Sequence, residues 1–287
     1  MRKFLTKLYD FSASWTGTIV IVLFVIFFIA QAFVIPSGSM KDTLLVKDFL
    51  FAKKFSYGVP VPRIPWIEQR VLPDFNGNDH LFVSDMPKRG DIVIFRYPHD
   101  EKIHFVKRAF ALGGDEVIFT EKATYLRPSE GDEYIEQNYS QDDIIVLNGK
   151  KFVKEPYKFP GIHYDDSVRM FEQMLYYYNA KKLAMTPINV AELPSVIDGL
   201  SQNAFYIKVK DGEFFMMGDN RDHSNDSRFW GSVEYRYIVG KPWFVYLSLD
   251  KDYKIRWERI GRFVDTLESD ENIVNMAKKE DEIEGIY

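Results

Sequence analysis

The chain has 287 residues, 46% hydrophobic and 16% aromatic, which is enough to bury a core of more than one domain and excludes a disordered tail. Its 37 basic and 42 acidic residues give a net charge of -5, so it has no basic field for a nucleic acid partner. There is no cysteine, which removes disulfide frameworks, thiolate zinc sites and a cysteine nucleophile together and leaves the redox compartment open.

Residues 17–35 form an apolar run of 19 residues interrupted only by Thr18 and Gln31. As a helix the run would be about 28 Å long against a hydrocarbon core of about 30 Å, which predicts one N-terminal transmembrane helix with Trp15 at the interface. Residues 19–29 also suit the apolar region of a secretory signal peptide, and Ala30, Gln31 and Ala32 have the small-x-small pattern at which such peptides are cut. The apolar character continues through Phe33, Val34 and Ile35, and Asp10 lies in the preceding flank, which favours an uncleaved anchor. Arg2, Lys3 and Lys7 favour a cytoplasmic N-terminus, while Lys41, Lys47, Lys53 and Lys54 lie beyond the run. Large domains translocate regardless of such charges, so the remainder is expected on the far side of the membrane.

Next comes a tight Ser37-Gly38-Ser39 between Pro36 and Met40. Pro36 stops or bends the chain, Gly38 frees the backbone, and two hydroxyls stand two positions apart in a turn. Ser39 lies four residues beyond Ile35, within about 14 Å of the end of the run even if fully extended. The stretch with Pro60, Pro62, Pro65 and Pro73 around Trp66 reads as an extended loop, either an ordinary surface loop or one touching the membrane surface.

Short β-rich runs follow: DIVIFRY at 91–97, FYIKVK at 205–210, EFFMM at 213–217 and KPWFVYLSL at 241–249. They predict a mainly β protein with an antiparallel sheet as its core. Residues 120–204 differ, with acidic turns, Pro156 and Pro160, and one helical pattern placing Val168, Phe171, Leu175 and Tyr178 on a face. They read as an inserted second lobe. The expected organisation is an anchor at 1–35, core at 36–119, the inserted lobe at 120–204, core again at 205–265 and a fraying acidic tail at 266–287.

A serine hydroxyl is a poor nucleophile until a base takes its proton. His80, His99, His104, His163 and His223 fit no recognised triad order, no G-x-S-x-G surrounds Ser39, and no His-Glu-x-x-His offers zinc. In IHFVKRAFALGGD at 103–115, a strand would put Ile103, Phe105, Lys107, Ala109 and Ala111 on one face. Lys107 is then a lone amine in an apolar row. It is either a base whose charged form burial disfavours or a lysine that snorkels to water. The segment MGDNRDHSNDSRFWG at 217–231 fails as a calcium loop, because the glycine required after Asp222, Ser224 and Asp226 falls on Ser227; a turn cross-linked by Asp226 and Arg228 fits better.

Together PSGSM at 36–40, RGDIVIF at 89–95, VKR with GGD at 106–115 and GDNRDHSNDSRFWG at 218–231 resemble the ordered signature boxes of bacterial type I signal peptidases, the leader peptidase family of serine-lysine proteases. The resemblance implies a membrane-anchored serine endopeptidase that removes signal peptides from secretory preproteins after a small-x-small motif. It implies Ser39 as nucleophile, Lys107 as general base and Ser37 as an oxyanion-hole donor beside the Ser39 amide. Ser224 would support the lysine, Asp226 and Arg228 would brace the site, and Ile35, Met40, Leu44 and Val106 would line shallow substrate pockets. It calls for no cofactor and no metal. It places a single-pass protein in the bacterial inner membrane, its partners the bilayer and preproteins, with the catalytic domain on the periplasmic side. Nothing in the sequence speaks to oligomeric state.

Two departures stand out. Relatives often carry proline where this chain has Asp42, and Leu-Pro where it has Leu112-Gly113 in the turn after Lys107, so both turns are expected to be less stiff. Two other readings start from the same residues. One is a membrane-anchored, non-enzymatic β-domain that binds or chaperones exported proteins. The other is a self-cleaving repressor-type protease, which the absence of a basic helix-turn-helix candidate disfavours.

Overall fold

The computed structural model describes residue 6, residues 9–64 and residues 67–276. The expectations for Arg2, Lys3, Lys7, Pro65 and Trp66, and for the chain beyond 276, lie outside the described residues.

The described strands are β1 (Ala30–Val34), β2 (Asp48–Lys53), β3 (Gly58–Pro60), β4 (His80–Val83), β5 (Ile92–Tyr97), β6 (Asp100–Leu112), β7 (Glu116–Phe119) and β8 (Thr124–Arg127). They continue with β9 (Ile144–Leu147), β10 (Lys150–Lys154), β11 (Thr186–Ile188), β12 (Ala204–Lys208), β13 (Glu213–Met217), β14 (Val233–Glu234) and β15 (Ile238–Ser248). A seven-stranded sheet runs β1-β2-β15-β5-β6-β13-β14, a six-stranded sheet runs β11-β12-β7-β8-β10-β9, and β3 pairs with β4. Each of these ladders is antiparallel.

Strands β6 and β13 are neighbours in the larger sheet, yet all of the smaller sheet, residues 116–208, lies between them in sequence. The chain leaves β6 through Gly113 and Gly114. Gly114 sits at φ +90°, and a Cβ on Gly113 would meet Gly212 N at 2.6 Å, so the outgoing and returning chains touch here. Asp115 is fully buried and accepts from the Leu112 and Ser129 amides at 2.8 and 2.9 Å and from both sides of the Arg89 guanidinium at 2.7 Å. The turn expected to be loose is therefore pinned by a bidentate, charge-assisted pair. Phe110, Ala111, Phe215 and Met217 of the larger sheet share one core with Val117, Phe119, Leu126 and Phe205 of the smaller.

Three expectations need correction. The run at 17–35 is not one helix: an α-helix at Trp15–Phe24 passes into a π turn at Val25–Ile29, and the chain then becomes strand β1 at the sheet edge. The helical part has 15 residues, about 22 Å, and among the described residues no helix is long and apolar enough to cross a membrane. The change occurs where Ala30 to Val34 find partners in β2, Ala30 opposite Lys53 and Val34 opposite Phe49, and where Lys54 Nζ caps the helix end by donating to Ile26 O and Phe27 O at 3.1 and 3.4 Å.

The second correction concerns the helix in the inserted region, which starts only at Met170 and buries Met170, Phe171 and Met174 against the shared core. Val168 precedes it, and Tyr178 stays exposed. Third, residues 264–274 are no frayed tail: Val264, Leu267, Ile273 and Val274 are buried, and Glu268 Oε2 accepts from Arg108 Nη1 at 2.8 Å. Their apolar spacing outweighs the acidic composition around them.

Candidate active site

The edge-strand ladder continues one residue past β1, since Ile35 N donates to Asp48 O and Lys47 N donates to Ile35 O, each at 2.9 Å. Pro36 then ends the pairing, and a single 3-10 turn at Gly38–Met40 presents Ser39. Ser37 is exposed and extended just before that turn. Ser39 is 8% exposed, within reach of water but held.

Lys107 lies in β6 opposite Val93 of β5 and is 3% exposed. Its Nζ is 2.5 Å from Ser39 Oγ, and it also donates to Val106 O at 3.1 Å. The Phe105 ring lies 5.2 Å away. Burial lowers the lysine's pKa from 10.5 to about 8; the Asp226 and Asp219 carboxylates oppose this and Arg228 assists it. The snorkelling alternative is thereby excluded. Below that pKa the ammonium donates to the serine; above it the hydroxyl can donate to a free amine.

The predicted period-two face survives only to Ala109. Between Ala109 and Ala111 the β6–β13 register shifts by a bulge, so Phe110 and Ala111 join the core shared by the two sheets while Ala109 packs on the other side.

The polar segment after β13 wraps behind these two residues. Gly218 fits where little else would: a Cβ there would come within 2.4 Å of both Ser39 O and Ser224 Oγ. Its amide donates to Asp226 Oδ2 at 3.0 Å. Asp226 and Arg228, both fully buried, are joined at 2.8 and 2.9 Å. Burial alone would raise the Asp226 pKa, but the Arg228 guanidinium outweighs it and holds the carboxyl below its usual range. Ser224 is 4% exposed, and its hydroxyl lies beside the Asp226 carboxylate and helps hold it in the charged form.

Sequence reasoning missed a second buried pair. Arg108, next to Lys107 but facing the other way, grips Asp219 at 2.8 and 2.7 Å, and Thr43 Oγ1 donates to Asp219 Oδ2 at 2.7 Å. Asn220 donates from its amide to Ser39 O at 3.2 Å and from Nδ2 to Gly38 O at 3.1 Å. The available signal was an arginine directly before the apolar run Ala109 to Leu112 of β6, which has to find a carboxylate once buried.

Ile35, Met40 and Leu44 are almost wholly buried in one cluster, with Val106 and Phe33 half-buried against it. Phe33, also unforeseen, meets the His104 ring at 5.1 Å, so β1 and the first half of β6 face each other across the surface beside Ser39.

The family model described as signal peptidase, peptidase S26, matches residues 8–247. Signal peptidase I of Helicobacter pylori is 50% identical over 285 residues, covering 93% of this chain and 96% of its own. Signal peptidase I of Pseudomonas fluorescens is 32% identical over 253 residues, covering 84% and 73% respectively. The crystal structure of a signal peptidase I from Enterococcus faecalis aligns at 20% identity with a TM-score of 0.26, covering 55% of this chain and 97% of that one.

Proposed function

Because this chain belongs to the signal peptidase family, peptidase S26, and is a serine endopeptidase that removes signal peptides, we propose that Ser39 and Lys107 are its catalytic dyad. The observation that carries this reading is the 2.5 Å contact between Ser39 Oγ and an amine buried to a pKa of about 8. Neutral Lys107 takes the hydroxyl proton as the oxygen attacks the scissile carbonyl. Ser37, exposed beside the turn, and the Ser39 amide meet the oxyanion, each such donor being worth about 3 kcal/mol. The lysinium then protonates the leaving amine, and as a free amine again it draws a proton from the water that hydrolyses the acyl-enzyme. Asp226, Arg228 and Ser224 back the lysine.

Ile35, Met40 and Leu44 form an apolar floor, with Val106 at its rim. A floor so closely packed leaves shallow pockets that admit alanine and reject bulk, which suits a small-x-small motif in a secretory preprotein. The membrane side of the reading rests on the helical residues 15–29. Ile19, Val20, Ile21, Val22, Leu23 and Phe24 are all 44–55% exposed, an apolar surface on every side that lipid rather than water would cover. The enzyme then works at the bilayer with its catalytic domain on the extracytoplasmic side.

The test is cleavage of a preprotein by the wild type, Ser39→Ala and Lys107→Ala. Both variants are expected to lose activity by about a thousandfold or more. Wild-type activity in both would end the dyad reading.

A further inference from the structure

We propose that Asp42 and His163 are a positioning pair for the nucleophile turn: an imidazole from the excursion between β6 and β13 holds the carboxylate that closes the turn carrying Ser39. The inference rests on the reading of Ser39 as nucleophile.

Asp42 follows Ser39 by three residues and sits at φ +72°. Proline, fixed near about -65°, cannot adopt that conformation, whereas Asp and Asn tolerate it better than most side chains. The residue is therefore no failed proline; it builds a different turn. Its side chain is only 4% exposed, and a carboxylate so buried requires a donor.

His163 Nδ1 comes within ion-pair distance of it, 3.1 Å from Asp42 Oδ2, while its hydrogen bond runs to Gly161 O at 2.9 Å. A carbonyl and a carboxylate only accept, so Nδ1 carries the proton whether the ring is neutral or charged. The imidazole is thus oriented from two sides.

Its backbone is equally constrained. His163 N donates to Asp219 O and Arg221 N donates to His163 O, both at 3.0 Å. Asn220, between those two residues, is the one that donates to Ser39 O and Gly38 O. A single crossing therefore grips the nucleophile turn twice, at 38–39 through Asn220 and at 42 through the His163 ring. Gly161 fits the same contact, since a Cβ there would lie 2.2 Å from Thr43 Oγ1. With both ends fixed, the Ser39 hydroxyl stays over Lys107, and a displacement of about 1 Å at such a group can cost about a hundredfold in rate.

The experiment measures kcat, KM and thermal midpoint on the full-length enzyme in detergent micelles with a signal-peptide substrate. Asp42→Gly keeps the backbone conformation but deletes the carboxylate, and His163→Phe keeps a ring but deletes the donor. Each is expected to lower kcat about tenfold to a hundredfold, with KM and the thermal midpoint near wild type. Asp42→Asn, whose amide still presents an oxygen to Nδ1, is expected to recover most of that loss, and the double variant is expected to fall no further than either single one. Wild-type kcat in Asp42→Gly and His163→Phe, a loss that only tracks the folded fraction, or an Asp42→Asn no better than Asp42→Gly would each overturn the pair. Ser39→Ala is the control. If it cleaves at the wild-type rate the nucleophile reading fails, and the pair with it; if it is inactive while Asp42→Gly and His163→Phe are normal, only the pair fails.

Discussion

Replacing Lys107 by methionine separates the cost of the buried amine from its use. The lysine's pKa falls from 10.5 to about 8 on folding, chiefly through desolvation, which corresponds to about 3 kcal/mol at about 1.4 kcal/mol per pH unit. The sign follows from proton counting. Below pH 8 the folded and unfolded chains both bind the proton, so the full penalty applies. Between 8 and 10.5 the unfolded chain binds more, so stability rises with pH and the penalty fades. The same two values give a penalty of about 3 kcal/mol at pH 6.5 and about 1 kcal/mol at pH 9.5. Lys107→Met has no such penalty, so its stability advantage over the wild type should shrink by about 2 kcal/mol between those pH values in paired urea unfolding curves. The wild type's kcat/KM should rise about thirtyfold over the same range as the neutral fraction grows, while the variant stays inactive throughout. A stability difference that does not change with pH, together with a flat activity profile, would refute the argument that desolvation prepares the base.

Asp226→Asn leaves Arg228 buried without its counter-charge and should cost about 3–5 kcal/mol, read as a lower unfolding midpoint. It also removes a carboxylate that raises the Lys107 pKa, so the rising limb of the pH–activity curve should move to lower pH; a shift upward would contradict the assignment. Gly218→Ala forces a Cβ against Ser39 O and Ser224 Oγ, and turnover should fall along with about 1–3 kcal/mol of stability, whereas normal turnover would mean the turn is not braced there. Ala30 to Ala32 lie in a strand paired with β2, and Ser39 follows Ala32 by only seven positions, too few for the strand to turn back onto its own Ser39. The intact mass of the protein purified from its host should include residues 1–32, and an N-terminus at Phe33 in most molecules would show that the segment is cut.

The strands were legible because their patterns had one physical solution. DIVIFRY reads as a strand, and β5 indeed buries Ile92 to Arg96 without alternation, as a central strand covered on both faces must. The end of the first helix was not legible, because AQAFV satisfies a lipid-facing helix and a half-buried edge strand equally well; only the partner strand Asp48–Lys53, remote in pattern though close in sequence, decides between them. Lys107 was legible as an amine in an apolar row, but the bulge that ends the row beyond Ala109 depends on how β13 returns from an excursion of about a hundred residues. Arg108 showed only as an arginine in need of a carboxylate; that its partner is Asp219 was not legible for the same reason, the two being 111 positions apart.

That second pair bears on how Lys107, the proposed base, can lose its charge. Two carboxylates lie near enough to Lys107 to raise its pKa, and either one, left alone, would hold the proton on the amine. Each is already committed to a guanidinium, Asp226 to Arg228 and Asp219 to Arg108, so each acts on the lysine as part of a dipole rather than as a bare charge. Desolvation then remains the largest influence and the amine can be neutral near physiological pH. It follows that deleting a guanidinium would retune the proposed dyad without touching it: Arg228→Met would leave the Asp226 charge uncompensated near Lys107, raise the lysine's pKa and carry the active pH range upward, the opposite direction from Asp226→Asn.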